Sequence, residues 1–400
     1  MSTRIGPLPW LRDAGPAGTR SGLPVRGLEP FFGGSHRDFL EGLATHSVHD
    51  FRLHTLPGRH WAWRMHGGAV NLAGTSRREG EPVPAVLFAG SMLDLPLYRS
   101  LVEAPIGRLP ALVYFHENQL TYPLPEGVRR DLGYGWKNIT TALSAERVAF
   151  NSRYHRDEFM AAAASFLERL PDCVPEGLVE GMAAKSVILP LGVDLRRFDG
   201  FRPASEDSPA PDAGPLILWN QRWEYDKAPG EIADTLLALA GEGLRFRVAL
   251  AGKSHGSTPP GFRVLHRALG GRLVQFGEVE AFADYARLLW EADIVVSAAV
   301  HEFFGQAAVE AIYCGCRPVL PRRLSYPELI PREAGDLVLY EEGDLIPALR
   351  AAIRGGREWS VDWQRTWVAR FDWGSLVSRY DDEIWRLWEE AGGAGGRTDA

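Results

Sequence analysis

Lysine is almost missing from this chain of 400 residues: four of its 44 basic side chains are lysines and the remaining forty are arginines. A lysine in a candidate site is therefore not background usage. Cysteine is scarcer still. Cys173, Cys314 and Cys316 supply neither a disulfide framework nor a four-ligand metal set, so a cytoplasmic home is the default expectation. Cys314-x-Cys316 lacks zinc-hairpin spacing and reads as two small buried packing residues. No apolar run reaches membrane-spanning length, and "MSTRIGPLPWLRDAGPAGTRSGLP" has no secretory apolar core, so residues 1–26 read as a loose tail. Solenoid periods, H-E-x-x-H, G-x-G-x-x-G, a Ser-His-Asp order and a metal-binding Asp-x-Asp beside a strand end are also missing.

The chain has the composition of a soluble globular protein and is long enough for two cores. Its net charge of -7 argues against a bulk nucleic-acid binder. The charge is uneven, however. Residues 1–200 hold 22 Lys/Arg against 21 Asp/Glu, while 201–400 hold 22 against 30, which leaves room for a local basic face in the first half.

Short β-branched runs alternate with helix-length amphipathic stretches on both sides of a Pro/Ser/Asp-rich joint at 201–214. Strands are expected at 85–90, 111–116, 147–152 and 186–191, then at 215–220, 246–252, 272–277, 293–298 and 316–321. This alternation predicts an α/β protein of two Rossmann-like, doubly wound parallel-sheet domains, 27–200 and 215–370, with a cleft at the strand carboxyl ends. An amphipathic helix at 371–391 and a tail at 392–400 follow.

"EPFFGGSHRDFLEGLA" (29–44) reads as a strand-to-helix junction where Gly33 and Gly34 admit close approach of a ligand to free helix amides; Ser35 as an N-cap with nothing bound is the plainer reading. In "NQRWEYDKAPGEI" (220–232), Arg222 and Lys227 suit a diphosphate, or else pair locally with Glu224 and Asp226. His116 ends a buried strand, either contacting a ligand or serving as a satisfied structural histidine. "DIVVSAAVHEFFGQAAVEAIYCG" reads as strand, turn and short helix. Glu302 then precedes the helix and Glu310 lies within it, with amides around Phe303, Phe304 and Gly305 available to an anion or hydroxyls. Glu310 is either exposed or, among its small apolar neighbours, in need of a partner such as a ribose diol. The 51–78 segment carries five arginines, three histidines, two tryptophans and no acid. Such a segment fits a single-stranded RNA loop, or a surface loop with its tryptophans tucked in.

Taken in order, these pieces resemble family 4-like retaining glycosyltransferases of the GT-B fold, in which Glu302 and Glu310 would form the E-x7-E motif and the terminal helix would cross back onto the N-terminal domain. More narrowly, "EPFFGGSH", "LPGRHWAWRMH", "YFHENQLTYP", "FNSRYHRDEF", "QRWEYDK" and "HEFFGQAAVEAIYCGC" resemble the tRNA-queuosine α-mannosyltransferases, also called glycosyltransferase-like domain-containing proteins. The resemblance implies transfer of mannose from GDP-mannose to queuosine at the wobble position of tRNA-Asp. It makes His116 and Glu302 the candidate catalytic residues, with His116 near the sugar C6 side. Arg222 and Lys227 would hold the diphosphate, Gly33 and Gly34 would close on it, and Glu310 would hold the ribose. Glu302 with the Phe303–Gly305 amides would take the sugar, and Arg59, His60, Trp61, Trp63 and Arg64 would face the tRNA. No cofactor, metal or membrane partner is implied, and Lys227→Ala is expected to abolish transfer while leaving the fold intact. The sequence departs from the family at "GLPVRGL", where Pro24 and Gly27 interrupt the first strand and point to a short strand or an eroded N-terminus. A GT-B enzyme with a small-molecule, lipid or protein acceptor, and an inactive nucleotide-sugar-binding module, are the alternatives.

Overall fold

The computed structural model describes residues 21–76, 80–124, 127–203, 214–254, 256–355 and 360–393. Most of the expected N-terminal tail, most of the joint (204–213), Arg77 and Arg78 of the basic segment and residues 394–400 lie outside the described residues.

Apolar runs without polar alternation form strands buried on both faces. Val86–Gly90 (β3), Ala111–Phe115 (β4) and Leu216–Trp219 (β7) are buried at every position. The first unit adds Pro24–Phe32 (β1), Asp50–Pro57 (β2), Arg147–Phe150 (β5) and Ser186–Ile188 (β6). The second adds Arg247–Leu250 (β8), Leu273–Phe276 (β9), Ile294–Val296 (β10), Arg317–Pro321 (β11) and Leu339–Tyr340 (β12). Among the described residues they form two parallel six-stranded sheets, ordered β2-β1-β3-β4-β5-β6 and β12-β11-β10-β7-β8-β9. Strand order reverses between β1 and β3 in one sheet and between β7 and β10 in the other. At such switch points the loops after the strands diverge and leave room for a ligand.

The first strand is neither short nor eroded. Its nine residues begin at Pro24, so residues 24–26 belong to a central strand rather than to the tail. Proline is tolerated because it occupies the first position, where its carbonyl accepts the Ala85 amide at 2.7 Å and no amide hydrogen is required. Gly27 makes room for a neighbour: a Cβ there would lie 2.7 Å from Leu53 Cδ2.

The chain divides into Met1–Gly192 with Trp373–Ala400, and Val193–Asp372. Residues 193–200, expected in the first domain, belong to the second unit. Phe198 packs against Phe282 at 5.1 Å, and its carbonyl accepts the Trp290 indole at 2.8 Å. The last helix, Trp373–Glu390, belongs to the first unit, and residues 371–372 fall outside it. Trp373 packs on Phe39 at 5.6 Å, in space that Gly42 and Gly192 leave open.

Candidate functional site

In the second unit, the turn after β7 and the turn after β10 meet at the switch point. The Asp226 carbonyl accepts the Val300 amide at 2.9 Å. This contact brings Lys227 under the segment that carries Glu302. The Lys227 ammonium is buried and donates to His301 O at 2.8 Å and Glu302 Oε2 at 3.2 Å, with Asp226 Oδ2 at 3.1 Å. Burial alone would lower its pKa, but Glu302 and Asp226 reverse the sign and hold it well above the ordinary lysine range. Burial pushes Glu302 upward, yet Lys227, the Phe304 amide and His301 together hold it below its usual value. Both groups are therefore charged at neutral pH.

Glu302 also occupies the start of its own helix. Gly305, with φ of +96°, turns the chain into Gln306–Tyr313, and the Gly305 and Phe304 amides donate to Glu302 Oε1 at 3.0 and 3.3 Å. Two of the amides expected to face a ligand thus hold a protein carboxylate. The local-pairing reading of Arg222 and Lys227 also describes the structure, since Arg222 lies 3.3 Å from Glu224. Arg222 is half-exposed and close enough for its charge to oppose that of Lys227. Removing Lys227 would leave Glu302 and Asp226 facing each other without their shared counter-charge, a cost to the fold that the sequence did not foretell.

Glu310 is buried within the helix and has partners of its own. Tyr285 OH donates to it at 2.8 Å, Gln306 Nε2 at 3.0 Å, and Arg197 approaches to 3.6 Å. Asn220 extends this group through Tyr285 OH at 3.1 Å and Ala307 O at 3.0 Å. Neither Tyr285 nor Arg197 was singled out in the sequence, since neither lies within a turn that reads as a site.

In the first unit, the switch point carries the glycine turn. The helix Gly34–His46 is capped by Gly33 in extended conformation, with Gly34 at φ of +53°, so Ser35 is inside the helix and is not its N-cap. Among the described residues, and apart from its chain neighbours and its own helix's backbone, nothing lies within 4 Å of where a Gly34 Cβ would project. His116 directly follows β4 in a buried aromatic setting, its ring tilted 33° against that of His36 with centroids 4.3 Å apart. Burial, His36 and His155 all lower its pKa well below the usual histidine value, so its ring is neutral at physiological pH. Sequence reasoning passed over His36 because its partners, Glu29 and Glu117, come from separate strand ends. Ligand atoms of Glu29, His36 and His116 lie within 4.8 Å of one another, a spacing a divalent cation could bridge. Such an ion would have to displace His36 protons from the carboxylates they face.

The basic segment is not a loop. Asp50–Pro57 is the edge strand β2, and Trp61–Gly74 is a helix. Between them, Gly58 lies against Gly33: a Cβ on Gly58 would fall 2.6 Å from Gly33 Cα. Trp61 and Trp63 are 43% and 62% exposed, so they are not tucked in. Trp63 lies across Gly67, where a Cβ would meet its ring at 2.7 Å, and Trp61 packs beside Tyr134 at 5.1 Å. Arg59 and His60 are exposed, with His60 at φ of +55°, whereas Arg64 is partly committed to the Pro57 carbonyl at 3.1 Å.

Two doubly wound parallel sheets, each in its own unit, are the arrangement of the GT-B fold. The Arabidopsis thaliana starch synthase IV catalytic domain bound to ADP and acarbose shares this fold, with a TM-score of 0.65 and 13% identity, covering 92% of this chain and 100% of that one. Sucrose-phosphate synthase from Thermosynechococcus elongatus does likewise, at 0.64 and 17%, over 92% of this chain and 100% of that one. A family profile described as tRNA-queuosine alpha-mannosyltransferase N-terminal matches residues 25–193. The Drosophila melanogaster tRNA-queuosine alpha-mannosyltransferase is 36% identical over 310 residues, 76% of this chain and 81% of that protein. This chain belongs to the tRNA-queuosine alpha-mannosyltransferase family and is a hexosyltransferase. A Mycobacterium tuberculosis GDP-mannose-dependent alpha-(1-6)-phosphatidylinositol dimannoside mannosyltransferase is 30% identical over 155 residues, 38% of this chain and 40% of that protein. Among the described residues, no helix is long and apolar enough to cross a membrane.

Proposed function

We propose that this enzyme transfers mannose from GDP-mannose to queuosine at the wobble position of tRNA-Asp, in the cytoplasm, with retention of anomeric configuration and without a metal ion. The names of the Drosophila and mycobacterial relatives support the acceptor and the donor respectively. The observation that carries the acceptor half is the exposed Trp61 and Trp63, flanked by Arg59 and His60 and joined to the glycine turn through Gly58. Exposed aromatics beside cations suit stacked bases and phosphates of a single-stranded loop.

On the donor side, Lys227 and Arg222 neutralise the diphosphate; in the first unit, the amides at Gly33–Gly34 are suited to phosphate oxygens. Glu310 accepts from the ribose hydroxyls, in exchange for Gln306 or Arg197. Glu302 with the Phe303–Gly305 turn receives the mannose, and the neutral His116 of the first unit is suited to contact a sugar hydroxyl. The bond between the sugar C1 and the phosphate oxygen breaks through an oxocarbenium-like state. The acceptor oxygen then bonds to C1 on the same face, and its proton passes to the leaving phosphate. Incubation with GDP-mannose and queuosine-bearing tRNA, followed by nucleoside mass analysis, tests the reading; a hexose added to queuosine supports it. Transfer to small or lipid acceptors but not to tRNA would favour the alternative acceptor class, and donor binding without hydrolysis or transfer would favour an inactive binding module.

A further inference from the structure

A buried charged cluster lies at the carboxyl ends of β1 and β4, beside the glycine turn. The Glu29 side chain is almost wholly enclosed. Its Oε1 accepts the Phe31 amide at 2.9 Å, and its Oε2 faces His36 Nδ1 at 3.3 Å. Space for that carboxylate exists because residue 90 is glycine: a Cβ there would fall 2.0 Å from Glu29 Oε2. The other His36 nitrogen, Nε2, faces Glu117 Oε2 at 3.3 Å. One imidazole thus spans two carboxylates, an arrangement satisfied when both of its nitrogens carry protons.

His36 belongs to the first turn of the helix Gly34–His46, where a positive charge is opposed by the helix dipole. The two carboxylates offset that penalty, and the cation in turn offsets the burial of Glu29. The face of His36 carries His116, whose ring is enclosed edge-on by Phe39 and Tyr114, each at 4.8 Å. Backbone contacts fix the same region: Asn151 Nδ2 donates to His116 O at 3.0 Å, and Ser91 Oγ donates to Glu117 O at 3.2 Å.

We propose that Glu29, His36 and Glu117 are positioning residues for sugar transfer, a clamp that holds the His116 ring and the Gly33–Gly34 turn in one fixed arrangement. The inference rests on the transferase reading of this chain. The titratable groups facing His36 are Glu29 from β1, Glu117 and His116 from the end of β4, with His155 beyond His116 from the helix Arg153–Leu167. Burial lowers the His36 pKa, but Glu117 and Glu29 raise it to about 10. The charged His36 in turn helps keep His116 uncharged. A neutral imidazole beside the sugar does not oppose the positive charge that develops at C1.

The test uses the full chain with its nucleotide-sugar and acceptor. Glu117 is the partly exposed member of the clamp, so Glu117→Gln is the gentle variant. It removes one of the two counter-charges, and His36 should then lose its proton nearer neutrality. The expected result is a kcat that declines at least tenfold between pH 7 and 9, where the wild type stays level, with donor KM little changed. Ring-nitrogen NMR of wild-type His36 should show both nitrogens protonated at pH 8. The double variant Glu29→Gln with His36→Gln removes both fully buried charges and leaves only the partly exposed Glu117, which water can reach; it should fold, yet lose at least tenfold in kcat. Superimposable pH profiles for Glu117→Gln and wild type, wild-type kcat in the double variant, or a neutral His36 ring at pH 8 would each overturn the proposal. An inactive wild type would instead defeat the transferase reading, and the positioning role with it.

Discussion

Lys227 is the residue on which binding and folding meet. Removing one partner from a buried ion pair costs on the order of 3 kcal/mol. Lys227→Ala should therefore melt earlier than the wild type in a thermal scan, besides losing about 100-fold or more in kcat through the leaving diphosphate. An unchanged melting temperature would show that Glu302 and Asp226 find other counter-charges. Glu302→Gln separates the two effects, since it keeps the side-chain volume and leaves Lys227 paired with Asp226. Glu302 is held below its usual titration range, so its stabilising contribution is complete above ~4 and fades as pH falls through the lower folded value. Below about pH 4, then, wild-type stability should drop more steeply than that of Glu302→Gln, as measured by denaturant unfolding across pH. Which residues matter was only partly legible. Glu302 and Lys227 stood out through their turns, but His36 did not, because its meaning depends on Glu117, 81 positions away.

At the level of elements, legibility followed burial. Expected strands such as β3, β4 and β7 are continuous apolar runs enclosed by helices, a pattern that needs no partner to be recognised. The edge strand β2 was missed because "DFRLHTLP" mixes charged and apolar positions, with His54 buried against Glu81 at 2.9 Å. The first strand was doubted because the space around Gly27 is set by Leu53, which only the fold brings near. The helix Trp61–Gly74 makes a direct test of the acceptor surface. A stacked base is worth ~1–3 kcal/mol, so Trp61→Ala and Trp63→Ala should each raise the KM for tRNA by about tenfold or more while leaving the donor KM unchanged. Equal effects on tRNA and donor would instead point to a general disturbance of the unit. Gly58→Ala pushes on backbone that no rotamer change can relieve, so it should impair transfer by shifting the Gly33–Gly34 turn. Donor KM and kcat measured together would register that shift.

For the molecule as a whole, both sheets place their candidate residues at the point where strand order reverses, though the two sheets reverse differently. Charge neutralisation of the leaving group by Lys227 and Arg222 predicts that dialysis against EDTA leaves mannose transfer intact. A chelator-sensitive activity restored by a divalent ion would redirect attention to the Glu29, His36 and His116 donors. The carboxylate of Glu302, lodged on the Phe304 and Gly305 amides and on Lys227, has a further consequence. It is a tethered competitor, present at an effective concentration of millimolar order or above. Free phosphate or sulfate offers one charged group and must displace it without compensation elsewhere. A nucleotide-sugar brings base, ribose and sugar contacts along with its phosphates. On the donor reading proposed above, this side chain would disfavour anions held at a single point and give way to a ligand bound at several.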